Sequence, residues 1–233
     1  MSLREFGSNE LLFLLLAARW TVLLALITFA GGGVLGLFFA ALRIAPVAPL
    51  RWLAIGYIQF FMGVPILIQL FMAYYGASFI GARPDAWTAA VVTFCLNGGA
   101  FFGEIFRGAI QSIGVGQWDA ARALGFRFVP TLRLVILPQA VKLMLPPTVG
   151  FMVQIVKTTS VASLIGLTEL ARAGTQVNTV TFQPAVVFGT VSLIYFALCW
   201  PLSLLAGYLE RRFSAGMSRG SQPMPKAVPA TAG

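Results

Sequence analysis

Apolar residues in this chain come in runs too long for the interior of a soluble domain. Trp20 to Leu42 contains no charged residue. At about 1.5 Å per residue such a run makes roughly 34 Å of helix, enough to cross a hydrocarbon core of ~30 Å. Trp52 to Ile80 is also free of charge, and longer. The pattern predicts five spans, near residues 19–42, 52–80, 86–110, 139–159 and 184–209. In the fourth, fourteen uncharged residues separate Lys142 from Lys157, and Pro146 and Pro147 among them predict a kink. The fold class is an all-α membrane protein, with a transmembrane domain over 1–212 and a polar cytoplasmic loop over 111–138. Gly31, Gly32, Gly33 and Gly36 in the first span have two readings: close approach of a neighbouring helix, or a locally weak helix.

Composition sharpens this picture. The chain is 58% hydrophobic and 10% charged, against about a quarter charged in soluble domains. After Arg212 it turns Ser-, Gly-, Pro- and Ala-rich, so 213–233 is expected to be a disordered cytoplasmic tail. The apolar region near the N-terminus exceeds the roughly 15 residues of a signal-peptide core and reads as a retained span. Cys95 and Cys199 fall inside apolar spans, and there is no His, so neither a metal site nor thiol catalysis is expected.

The formal charge is +9, but the cations sit in connectors and do not alternate with aromatics, which argues against a nucleic-acid partner. Five spans put the termini on opposite sides. With the 111–138 loop inside, Arg43, Arg51, Arg107, Arg122, Arg127, Arg133, Lys142, Arg211, Arg212, Arg219 and Lys226 are cytoplasmic. Arg4, Arg19, Arg83 and Arg172 are then outside, and Lys157 lies near the outer end of span four. Basic residues favour the cytoplasmic face, so the N-terminus is expected outside and the C-terminus in the cytoplasm.

The loop has its own chemistry. Asp119 near the start of a short helix suits the positive end of the helix dipole. Trp118, Ala121 and Leu124 share one side, and Ala120 and Ala121 keep the surface low. Gly125 is placed to end this helix in a left-handed conformation, and Pro130 to open a second short one that ends near Leu137 and Pro138. Two readings fit: a small-residue ridge that docks into a partner's groove, or an amphipathic connector resting on lipid.

Four blocks bring a resemblance. Asp119-Ala120-Ala121, Gly125 and Val135-Ile136-Leu137-Pro138 resemble the Glu-Ala-Ala…Gly…Ile-x-Leu-Pro loop of ABC importer permeases, particularly those for polar amino acids. Gly63 to Phe71 is similar to that subfamily's Gly-Thr-Pro-Leu-Leu-Val-Gln block, Glu104 to Ile113 to its third-span ending, and Lys157 to Ser160 to its Lys-Asp-Thr-Ser segment. The chain departs from the pattern at Asp119 (Glu there), at Gln59 and Met62 (often Glu and Arg) and at Thr158 (commonly Asp).

The resemblance implies a type I ABC importer permease in a bacterial inner membrane. It implies coupling through Asp119, Ala120, Ala121, Arg122, Gly125, Leu137 and Pro138 to a cytoplasmic ABC ATPase dimer. A second permease subunit, the same or different, and an outer binding protein that delivers the amino acid complete the assembly. ATP and Mg would belong to the ATPase; the sequence has no Gly-Lys pair and so no phosphate-binding loop. No cofactor on this chain and no catalytic residues are expected.

Polar groups inside spans usually face a bundle interior. Gln69, Asn97, Gln154 and Lys157 are therefore candidates for a substrate pathway. The first three equally suit interhelical hydrogen bonding, and Lys157 equally suits snorkelling to the interface. Glu104 and Arg107 are spaced for a local ion pair. Thr168 to Asn178 reads as an outer connector, either solvated or in contact with a binding protein. The rival function is an ATP-independent secondary transporter or channel, which usually needs carboxylates deep in the membrane and often inverted repeats. A third is a scaffold whose loop recruits a partner.

Overall fold

Hydrocarbon offers the backbone no hydrogen bonds, so an apolar run must satisfy its own, and it does so as α-helix. The computed structural model describes residues 5–45 and 47–214. In order, the elements are α1 (Ser8–Ile44), α2 (Ala48–Gly63), α3 (Ile66–Tyr74, followed by a 3-10 turn Gly76–Ile80), α4 (Ala86–Gln111) and α5 (Val115–Ala123). Then come the short α6 (Phe128–Pro130), a π-helical stretch Thr131–Ile136, α7 (Leu137–Thr158, continued by a 3-10 turn Thr159–Ile165), α8 (Leu170–Thr181) and α9 (Pro184–Ser214). Four of these helical stretches are long and apolar enough to cross a membrane, or five if α2 and the α3 segment count as one broken span.

Differences from the sequence expectation have local causes. The first helix starts at Ser8 rather than near 19, because Arg19 does not interrupt it: the guanidinium lies over the Trp20 ring, 4.8 Å from its centroid. The second span is two helices bent by 99°. Pro65 lacks an N–H and crowds the carbonyl four residues back, and it pushes Val64 to an extended φ of −95° and ψ of 131°. The second helix expected in the loop is not separate, since helical structure runs from Phe128 to Ile165. The π-helical stretch lies just before Pro138, where the α-helical bonding pattern loses a donor. Helix α7 runs through Pro146 and Pro147 without interruption. The stretch read as an outer connector is largely α8, whose Leu170, Ala173, Gly174, Val177 and Thr181 are buried. Helix α9 includes residues 213 and 214, and the rest of the expected tail lies outside the described residues.

Helix α4 is the centre of the bundle: 56% of its apolar window is buried, and Phe94 and Phe102 are enclosed. Its long contact with α1 depends on small residues. A Cβ on Gly36 would stand 2.4 Å from the Phe102 Cβ, and one on Gly32 would stand 3.2 Å from the Gly98 carbonyl carbon. Close approach is therefore the role of these two glycines, while Gly33 faces open space. Asp85 caps α4 by accepting the Thr88 N–H at 3.1 Å, and hydrogen bonding from the Thr88 side chain, with that backbone bond second, holds its carboxyl below the usual range.

At one end of the bundle, Ile44 packs with Ile110, Ile136 and Ala140, joining the C-terminal ends of α1 and α4 to the start of α7. Arg43 and Arg107 both meet Glu104 there, Arg107 through Nε at 2.9 Å and Arg43 at 4.0 Å. At the other end, Glu169 caps α8 and is fully enclosed. It accepts from Tyr195 Oη at 2.8 Å, Thr21 Oγ1 at 3.2 Å and the Arg172 N–H at 2.9 Å. Glu169 thus ties α8 to α1 and α9 and presents no charge outward.

Candidate functional site

Two places combine polarity with defined shape: the α5 loop and a cavity at the α2–α3 break. The loop is held from inside. Ala121, 2% exposed, and half-buried Trp118 turn inward, with Trp118 near-parallel to the Phe128 ring at 6.2 Å and among the residues around Ile136. Gln139 Nε2 reaches Gln117 Oε1 at 3.2 Å. Ala121 therefore lies under the ridge and not on it.

The outward face of α5 carries Asp119, Ala120, Arg122, Ala123 and Leu124, all exposed. Arg122 and Asp119 pair at 2.8 Å in solvent, a contact of marginal stabilising value. Gly125 ends the helix at φ +79°, its N–H bonding Arg122 O at 2.9 Å while the Phe126 N–H bonds Ala121 O at 3.0 Å. That double bond pattern is the left-handed glycine cap, and it sets a sharp end to a low, small-residue ridge. Leu137 is half-buried and Pro138 exposed at the start of α7, on the same end of the bundle.

The cavity has a volume of about 320 Å³. Its lining includes Thr28 of α1, Met62, Gly63, Val64, Pro65 and Ile66 at the break, Asn97 and Phe101 of α4, and Phe151, Gln154 and Thr158 of α7. Phe151 seals one wall, stacked on Phe101 at 5.0 Å and edge-on to Phe102 at 4.9 Å.

Pro65 deprives the Phe61 carbonyl of its usual partner, and two side chains replace it. Gln69 Nε2 donates to Phe61 O at 2.9 Å and to Val64 O at 2.7 Å. Asn97 Nδ2 donates to Phe61 O at 2.9 Å and to Gln69 Oε1 at 3.3 Å. Gln69 and Asn97 are therefore braces of the broken span, with three of the four hydrogen bonds their amide nitrogens donate going to backbone carbonyls. Of the four polar span residues picked out in the sequence, Asn97 and Gln154 line the cavity, and Gln69 stands behind it. Lys157 is exposed and does not line it.

Sequence reasoning missed Thr28, which is 3% exposed with its hydroxyl unpartnered. Nothing in a Thr within an apolar run distinguishes it, because a helix usually supplies such a hydroxyl with a carbonyl. The break itself had a signal, Gly63-Val64-Pro65.

Comparison with known proteins agrees with this architecture. The chain is 36% identical over 195 residues to the probable amino-acid ABC transporter permease protein YckA of Bacillus subtilis, covering 84% of this chain and 86% of that one. It is 35% identical over 197 residues to the glutamine transport system permease protein GlnP of Escherichia coli K12, covering 84% and 90%. A crystal structure of an amino acid ABC transporter with histidines superposes with a TM-score of 0.82 at 31% identity, covering 86% of this chain and 94% of that one. The methionine ABC transporter MetNI in an inward-facing form shares the fold, with a TM-score of 0.76 at 21% identity and coverage of 89% and 99%. The pattern of one family spans residues 32–215, and the chain belongs to it: the binding-protein-dependent transport system inner membrane components.

Proposed function

We propose that this chain is the permease subunit of an ATP-driven importer that carries a polar amino acid across the inner membrane. The substrate class is supported by relatives named for glutamine and for L-cystine transport. Membership of the family implies a separate ATPase and a substrate-binding protein as partners. In the proposed assembly the ATPase is a cytoplasmic dimer that holds the ATP and Mg, a second permease completes the pathway, and the binding protein works on the outer side.

The observation that carries the coupling role is the outward face of α5. Asp119, Ala120, Arg122, Ala123 and Leu124 stand exposed on a helix fixed from within by Ala121 and closed sharply at Gly125. Leu124 is 76% exposed, which suits a partner cleft better than water. Leu137 and Pro138 join this ridge to the helix that lines the cavity, so that motion of the docked loop reaches Gln154 along α7. Neither Glu104, paired with Arg107 and Arg43, nor Glu169, enclosed by hydroxyls, is free to act as the ion-coupling carboxylate a secondary transporter needs.

Single cysteines at Ala120 and Leu124 test this reading in native membranes. Cross-linking from both positions to a nucleotide-hydrolysing subunit is expected. Amino-acid uptake that persists without ATP, with no such cross-link, overturns it.

A further inference from the structure

Resting on the importer reading, we propose that the stacked rings of Phe101 and Phe151 form the inner barrier on the solute route, and that it opens by bending of α7 at Pro146, Pro147 and Gly150. Two cavities follow one another along α4 and α7. The first, at the α2–α3 break, takes Asn97 and Phe101 from α4 and Phe151, Gln154 and Thr158 from α7. The second has a volume of about 590 Å³ and takes Glu104 and Ile105 from α4, Pro147 and Gly150 from α7, and Glu210 from α9. Among the described residues none belongs to both linings. On α4 the change falls between Phe101 and Glu104, and on α7 between Phe151 and Gly150. Both divisions therefore lie at the same two rings.

The rings stand 5.0 Å apart and 20° from parallel, and Phe151 also meets Phe102 edge-on at 4.9 Å. Phe102 is fully enclosed on α4, the most buried of the four long spans, so it is a fixed wall for the moving ring. Two aromatic contacts hold the pair shut without making closure permanent. The chemistry changes across it. Among the described residues no charged group lines the first cavity, while Glu104 and Glu210 line the second. Carboxylates keep water beside them, so the pair divides a neutral chamber from a wet one at the α5 end of the bundle.

The moving part is α7. Pro146 and Pro147 have no N–H, so the Lys142 and Leu143 carbonyls lack their usual donors four residues on. A Cβ on Gly150 would meet nothing within 4 Å, so close packing does not require this glycine, and its bare backbone leaves the helix pliant. These residues directly precede Phe151, and helix bends concentrate at such sites. The inner end of α7 begins at Leu137 and Pro138, beside the α5 ridge. A pull on α5 therefore bends the helix at the prolines and draws the Phe151 ring off Phe101.

The test uses Thr158→Cys as a reporter in the first cavity, with Cys95→Ala and Cys199→Ala, in inside-out vesicles holding the permease and its ATPase. The probe is a membrane-impermeant cationic methanethiosulfonate, which has to pass the rings from the second cavity. Modification is expected to be slow without ATP. Phe151→Ala or Phe101→Ala is expected to speed it about tenfold, the shift that loss of such aromatic contacts brings. Gly108→Cys, a reporter in the second cavity, is expected to react at one rate in every variant. ATP is expected to speed modification at position 158, and Pro146→Ala with Pro147→Ala and Gly150→Ala to abolish that increase. ATP hydrolysis reports that each variant is folded. An unchanged rate at position 158 in both Phe→Ala variants overturns the barrier, and a full response to ATP in the stiffened helix overturns the hinge. If ATP drives neither uptake nor faster modification in the protein with its rings and prolines intact, it is the importer reading that fails.

Discussion

Gly36 and Gly33 lie three residues apart on α1 and carry opposite constraints. A methyl on Gly36 meets Phe102 and the Gly103 amide at 2.4 and 2.9 Å, while one on Gly33 meets nothing within 4 Å. Gly36→Ala is therefore expected to force α1 and α4 apart and lower stability by about 1–3 kcal/mol. Gly33→Ala is expected to be neutral or slightly stabilising through helix propensity. Unfolding titrations of the two purified variants in mixed detergent would check this, and equal behaviour would refute the packing argument. These roles were open in the sequence, where the glycines form one cluster, because only the neighbouring helix decides which of them faces a wall. Gln69 and Asn97 tell the same story. Their polarity inside spans was readable, but their use as donors to the Phe61 carbonyl needed the bend at Pro65 and the arrival of α4.

Among the elements, α5 was the most legible. Its small residues, its glycine terminator and its place between spans can all be read along the chain. Its facing could not: Ala121 turns inward against the Ile136 region, leaving Ala120 and Ala123 on the outside. Gly125 has open space around it, so a side chain there is limited by the φ of +79° alone. Gly125→Val is expected to fray the end of α5 and to reduce substrate-stimulated ATP hydrolysis in reconstituted complexes severalfold. Gly125→Asn, a residue that tolerates the left-handed region, is expected to retain most of that activity. Comparable loss in both variants would show that the ridge fails for some other reason. Helix α8 was hidden for a different cause. Its apolar stripe at Leu170, Ala173 and Val177 is short and interrupted by polar residues, and its cap, Glu169, reads as a surface charge until Thr21 and Tyr195 are seen to enclose it.

For the whole molecule, we propose an orientation from charge. Arg43, Arg51, Arg107, Lys142, Arg211 and Arg212, with the basic residues of the α5–α7 loop, gather at one end, while Arg19, Arg83 and Arg172 lie toward the other. A cysteine at Leu124 is expected to react with a membrane-impermeant maleimide only in inside-out vesicles. One at Phe79, which is 93% exposed in the turn before α4, is expected to react only in spheroplasts. The reverse pattern would invert the topology and remove the docking role of α5.

What the chain determined by itself was the class of solvent and the rough number of crossings. Hydrocarbon tolerates only long runs without charge, and such runs are visible in one dimension. The break at Pro65 was also latent in the sequence, since a missing N–H is a covalent fact. What the break creates was decided only in three dimensions. Residues of α1, α2, α3, α4 and α7 line the cavity there, and no spacing rule along the chain relates them. Gly32 and Gly36 let α1 close on α4, and the cavity exists only where α1, the α2–α3 break, α4 and α7 leave one.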